Sequence, residues 1–145
     1  MRPKSIILFE RLFLASLALS AITFVVSYAA TMDELERQAG LSEIGFGSEL
    51  LIGTMAVTTA VYLLLWFLIA RKASNVAKWF LVAFTAIGTA TLAYSFATLG
   101  LKTDLNSLLG VAYYVLAVAA VVPLFKPDAV AWLTSEKPAD PATFD

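Results

Sequence analysis

Polar and apolar residues do not alternate along this chain with the period of a soluble helical domain. The apolar ones gather into four long blocks, at 12–32, 50–70, 79–101 and 105–125, and no block holds a charge between its ends. Each is about as long as the ~20-residue helix that crosses a bilayer core. A charge at the middle of such a helix costs roughly 2.5–3.5 kcal/mol on insertion scales. The pattern predicts an all-α transmembrane four-helix bundle with spans at about 6–31, 48–71, 75–101 and 104–125. It forms one domain over residues 1–134, and a polar, proline-bearing tail at 135–145 reads as disordered.

The connections carry helix punctuation. Thr31 and Glu34 have capping-box spacing, and Gly40 suits a helix C′ position, so 32–39 reads as a short acidic external helix or a continuation of span 1. Residues 41–47 read as a glycine-containing turn. Ser48 and Glu49 open span 2, where a carboxylate in the first turn is favoured by the helix dipole. Ser74 or Asn75 caps span 3 and Thr103 or Asp104 caps span 4. The very short connection between those spans predicts a tight antiparallel hairpin. Span 4 ends near Pro123 and Phe125, and Lys126-Pro127-Asp128 then opens a short apolar helix that should lie on the cytoplasmic membrane surface.

Charge adds an orientation. Arg2, Lys4, Arg11, Arg71, Lys72, Lys78, Lys126 and Lys137 fall on one side of the predicted topology, and only Arg37 and Lys102 on the other. The positive-inside rule puts both termini and the connection between spans 2 and 3 in the cytoplasm. The connection after span 1, with Asp33, Glu34, Glu36 and Glu43, then lies outside. Trp66, Trp79 and Trp132 fall near the predicted cytoplasmic interface, the layer that indole prefers. The N-terminal segment, with Arg2, Lys4 and small residues at Ser27 and Ala29, has some features of a signal peptide. Its apolar run exceeds the usual 7–15-residue h-region, so it reads as the first span.

Composition excludes more than it assigns. The chain is 60% hydrophobic and 14% charged, with a net charge of −1 and neither Cys nor His. No basic field points to nucleic acid. Without Cys, a quinone-linked disulfide oxidase or a thiolate metal site is excluded; without His, so are histidine-ligated haem and histidine proton relays. No cofactor or metal is expected.

Membrane helices associate through close packing and hydrogen bonds, because lipid is as apolar as leucine. Span 3 carries Thr85, Thr89, Ala93 and Ala97 at four-residue spacing, span 2 carries Ala56 and Ala60, and span 4 carries Gly110. These are the predicted helix-packing positions. Span 1 carries Ser16, Ser20, Thr23 and Ser27 on one stripe. The hydroxyls either return to carbonyls of their own helix or, with Tyr62, Tyr94 and Tyr113, line a polar path.

Proton-coupled transport needs a titratable group near the midplane, and the spans have none. Glu10 and Glu49 sit at opposite interfaces, Glu10 either paired with Arg71, Arg2 or Lys78 or solvated. Intramembrane catalysis needs groups that are equally absent, so no enzyme is expected. A structural, accessory or assembly protein needs only packing faces and an exposed acidic loop. Its expected partners are the lipid bilayer and another membrane protein or a second copy. A small passive channel or transporter with a hydroxyl- and aromatic-lined path is the alternative.

Arg2-Pro3-Lys4-Ser5 followed by Phe9-Glu10-Arg11-Leu12 resembles the start of small uncharacterised four-helix membrane proteins of proteobacteria. The resemblance covers this segment and the topology. It implies a bacterial inner-membrane location and brings no activity or site residues.

Overall fold

The computed structural model describes residues 2–37, 47–100 and 104–134. They form helices α1 (Lys4–Arg37), α2 (Ser48–Lys72), α3 (Asn75–Leu99) and α4 (Leu105–Val121), a 3₁₀ turn (Val122–Phe125) and α5 (Pro127–Thr134). There is no strand among the described residues. Four of the helices are long and apolar enough to cross a membrane. The expectations for Gly40, residues 41–46, Lys102, Thr103 and the 135–145 tail lie outside the described residues.

Helix α1 has 34 residues, hence ~51 Å at 1.5 Å per residue, well beyond the ~30 Å bilayer core. Of the two forms expected for 32–39, a short separate helix or a continuation of span 1, residues 32–37 take the second and are the last part of α1. Nothing from Tyr28 to Glu34 interrupts it, since there is no Gly or Pro and Ala29, Ala30 and Met32 favour helix. Thr31 is an interior residue rather than a cap, and its hydroxyl donates to the Ser27 carbonyl at 2.9 Å.

The other boundaries follow local chemistry. Helix α2 ends at Ala73, which takes the left-handed conformation (φ 52°) and lets the Ser74 N–H reach the Leu68 carbonyl at 3.0 Å. Ser74 then starts α3, its hydroxyl accepting from the Ala77 N–H at 3.2 Å. Asp104 stands at the N-cap position of α4. Pro123 ends regular α-helix in the fourth span, because the ring removes a donor and clashes with the preceding turn. The chain tightens there into the 3₁₀ turn.

Packing is concentrated at one end. The buried apolar residues are Ile6, Phe9 and Phe13 of α1, Leu65, Ile69 and Ala70 of α2, Ala77 and Leu81 of α3, Ala117 and Ala120 of α4, Leu124 of the turn, and Ala129 and Leu133 of α5. The start of α1, the end of α2, the start of α3 and the end of α4 meet at this end, which carries the cations Arg2, Lys4, Arg11, Arg71, Lys72, Lys78 and Lys126. Helix α5 closes it by placing Ala129 and Leu133, one turn apart, against that core.

The most extensive pairing is between α1 and α4; α3 and α4 pair less, although they are consecutive. Helices α3 and α4, expected to form a hairpin, do touch, with Gly88 against Tyr114, while the connection between them lies outside the described residues. The physical reason for the closer α1–α4 pairing lies in the side chains on the facing sides. Along α1, Ser16, Ser20, Thr23 and Ser27 are buried or half-buried, as are Gly110 and Ala117 on α4. Small residues allow close backbone approach. Along the α3–α4 seam Leu92, Phe96 and Tyr114 line a groove.

Candidate functional site

Two polar regions stand out, one at the cation-rich end and one inside the bundle. At the cation-rich end Glu10 accepts from the Arg2 guanidinium at 2.7 Å and lies 3.5 Å from that of Arg71. Glu10 is largely covered, whereas Arg71 is nearly half exposed. The pair with Arg2 ties the chain before α1 to its second turn, and the contact with Arg71 ties α1 to the end of α2. Lys78, the third partner considered for Glu10, points elsewhere. Its stem is buried and its ammonium stands 4.8 Å from the Phe125 ring centroid and 5.1 Å from that of Trp79.

Asp128 makes a second tie. Its carboxylate accepts from the Ser5 hydroxyl at 2.8 Å and from the Ser5 backbone N–H at 3.2 Å. That N–H belongs to the first turn of α1 and has no partner within its own helix. A carboxylate from α5 therefore caps α1 across 123 positions of sequence. The Ser5 hydroxyl is the main reason that the Asp128 carboxyl is held below its ordinary value, joined by backbone N–H donors. Sequence reading took Pro127-Asp128 only as the start of a helix. An acid in a first turn next to a proline gave no sign that its partner was Ser5.

Inside the bundle the hydroxyl stripe of α1 turns back on itself. Ser16 donates to the Phe13 carbonyl at 2.7 Å, Thr23 to Leu19 at 2.9 Å and Ser27 to Thr23 at 2.8 Å. Ser20 is half-buried between them. Helix α3 does the same, with Thr89 donating to the Thr85 carbonyl at 2.7 Å and Ser95 to Thr91 at 2.9 Å. In a bilayer a hydroxyl needs an acceptor, and the carbonyl one turn back is always within reach.

The tyrosines divide. Tyr94 is 70% exposed and points out of the bundle. Tyr62 is half-buried between Phe13 and Phe84, with ring centroids 6.2 and 6.4 Å away. Tyr113 meets Tyr114 edge-on at 4.9 Å. Tyr114 in turn lies over Gly88 of α3: a Cβ built there would stand 2.8 Å from the phenol oxygen and a ring carbon. Two phenols of α4 thus meet, and Gly88 of α3 makes room for one of them.

The predicted packing line on α3 is split. Thr85 is buried and Thr89 half-buried, but Ala93 and Ala97 are exposed. Ala56 and Ala60 of α2 are exposed as well, and Gly110 is half-buried. Thr85 and Gly110 thus face the interior, while the alanines do not pack within the chain. Glu49 is exposed and stands in the first turn of α2, where the helix dipole favours a carboxylate.

No family model, curated protein or solved structure matches the chain. Its functional reading therefore rests on its own residues.

Proposed function

We propose that this is a multi-pass protein of a bacterial inner membrane and that it serves a structural, accessory or assembly role through its helix faces and its acidic external end. Both termini and the α2–α3 connection lie in the cytoplasm in this reading, as the distribution of Lys and Arg requires. No catalysis and no cofactor are assigned to it. The observation that carries the proposal is the exposure of Ala56, Ala60, Ala93 and Ala97 on membrane-spanning helices, among large apolar side chains that the chain itself leaves uncovered. Small residues on an uncovered span let another helix come close. The partner is another membrane protein or a second copy.

A second reading, a small passive channel, draws on the half-buried Tyr62 and on the edge-on pair of Tyr113 and Tyr114. Against it stand the hydroxyls of Ser16, Thr23 and Ser27, which are engaged by carbonyls of their own helix.

Photo-crosslinking residues placed at Ala60 and Ala93 in native membranes test the choice. A discrete protein adduct at both positions supports the accessory role. Adducts to lipid alone, together with solute flux through liposomes that hold the purified protein, turn the reading to a channel. For orientation, Asp33→Cys is expected to label from outside intact cells and Lys72→Cys only after the membrane is opened. The chain has no native cysteine to confuse the result.

A further inference from the structure

Of the described charged residues, Lys78 alone is buried, at 5% exposed. Its ammonium stands over the rings of Trp79 and Phe125, which attract a cation but offer its three N–H groups no oxygen acceptor. No hydrogen bond or ion pair to a described residue engages it, yet it is not sealed from the surface. The carboxylates of this end are already committed, Glu10 to Arg2 and Arg71, and Asp128 to Ser5. Against those two acids stand seven cations among the described residues. Helix α3 adds to the imbalance. Its first turn holds no acid, and Lys78 follows directly on the N–H groups that make a helix start positive. A cation held in this way gains free energy when an anion reaches it.

The surroundings of the ammonium narrow which anion fits. The two rings beneath it meet edge-to-face at 5.9 Å, and each lines an apolar hollow. Trp79, with Val76, Phe80 and Ala83, bounds one of about 330 Å³. Phe125, with Val82, Val118 and Val122, bounds another of about 210 Å³. A cation without a counter-ion therefore sits where two apolar hollows adjoin on membrane-spanning helices. A soluble anion would answer the charge and leave the hollows open. A neutral helix would fill the hollows and leave the charge. A second copy inserted the same way would bring the same surplus of cations to this end. A phospholipid of net negative charge brings a phosphate and acyl chains in one molecule, and basic pockets between spans on the positive side of a protein suit such headgroups.

We propose that Lys78 and the hollows beside Trp79 and Phe125 form a binding site for an anionic phospholipid, drawn from the leaflet that meets the cation-rich end. Its phosphate accepts from the Lys78 ammonium, and its acyl chains lie against Phe80 and Val122. The site rests on the membrane location of the chain. It uses none of Ala56, Ala60, Ala93 and Ala97, and does not depend on the partner proposed above.

Native mass spectrometry of the full chain in detergent tests it, with phosphatidylglycerol and phosphatidylcholine of identical acyl chains as probes. Both carry a phosphate and the same tails, but only the glycerol lipid has a net negative charge. The wild type is expected to retain the glycerol lipid about fivefold more than the choline lipid, the discrimination of one partly exposed ion pair. Lys78→Met, which keeps the stem and removes the charge, brings the ratio below about two, and Lys78→Arg preserves it. Lys72→Met, which removes an exposed cation of the same end, leaves the ratio unchanged. Ala83→Trp lowers retention of both lipids by filling a hollow. Equal retention by the wild type overturns the proposal. So does an equal fall in Lys72→Met and Lys78→Met, which would make the preference a property of the diffuse charge. Displacement of the glycerol lipid by inorganic phosphate overturns it by showing a site for a soluble anion. A lipid-free protein that crosslinks to a second copy through Val76→Cys overturns it too, by showing that a helix covers the hollows.

Discussion

The two ends of this molecule are built from equally apolar helices and behave in opposite ways. At the cation-rich end five helices contribute to one core, and Phe9, Ile69 and Leu124 are completely buried. Toward the other end Val25, Ile87, Tyr94 and Leu105 are each more than half exposed. Large interlocking side chains are part of the difference: Phe9 meets Phe13 at 5.4 Å, and Phe13 meets Tyr62 at 6.2 Å. Polar ties are the other part, because Arg2, Glu10, Arg71, Ser5 and Asp128 all sit at the closed end. A membrane gives helices no hydrophobic drive to associate, so complementary shape and hydrogen bonds decide where they close. Where both are missing, an apolar helix is equally content against lipid or a partner.

Breaking the closed end tests this most directly. Phe9→Ala is expected to destabilise the folded protein by about 3 kcal/mol through the cavity it leaves, whereas Val25→Ala stays within about 0.5 kcal/mol. Steric trapping in bicelles measures both. Similar losses at the two positions would show that the two ends are packed alike.

Gly88 probes the boundary between the regions. Gly88→Ala puts a methyl against the Tyr114 ring, and with the helix-propensity gain of alanine set against the overpacking it is expected to cost about 1 kcal/mol net. In a Tyr114→Ala background the same change should cost far less, which a double-mutant cycle reads directly.

The ties predict smaller effects. Glu10→Gln is expected to cost about 1 kcal/mol, with more of the coupling assigned to Arg2 than to the longer, more exposed contact with Arg71. Ala73→Gly works in the other direction: it relieves a left-handed alanine and should stabilise by up to ~1 kcal/mol.

The Asp128 latch has a pH signature. Its carboxyl is held below the ordinary value of 3.8 in the folded protein, so the latch contributes fully above that value. The contribution is lost as the pH falls below 3.8 and through the lowered folded value. A variant that keeps Trp132 on α5 as its lone tryptophan should report undocking as an emission shift in that acid window. Asp128→Asn should remove the transition. A transition centred above the ordinary value would mean that another group controls α5.

Much of the fold was legible because hydropathy and length are properties of single segments. The four spans, the Ser74 cap, the acid opening α2 and the short helix after Pro127 all follow from residues within a few positions of one another. The hydroxyls of α1 were half legible: their spacing indicated a stripe, and the carbonyl one turn back was the nearer of the two partners considered. The Ser5–Asp128 bond was invisible, since neither residue carries a local mark of a partner 123 positions away. The alanine line of α3 misled for a related reason. Small residues license a close approach without saying whether the helix that approaches belongs to the same chain.

By itself, then, the sequence determined which segments are helices fit to cross a membrane. Only the tertiary structure decided that α1 pairs chiefly with α4, that the buried core gathers at one end around Phe9 and Leu124, and that a groove runs along the seam of α3 and α4. The physical reason is that insertion is a sum over the residues of one helix, whereas association depends on the fit between side chains that different helices bring to the same place.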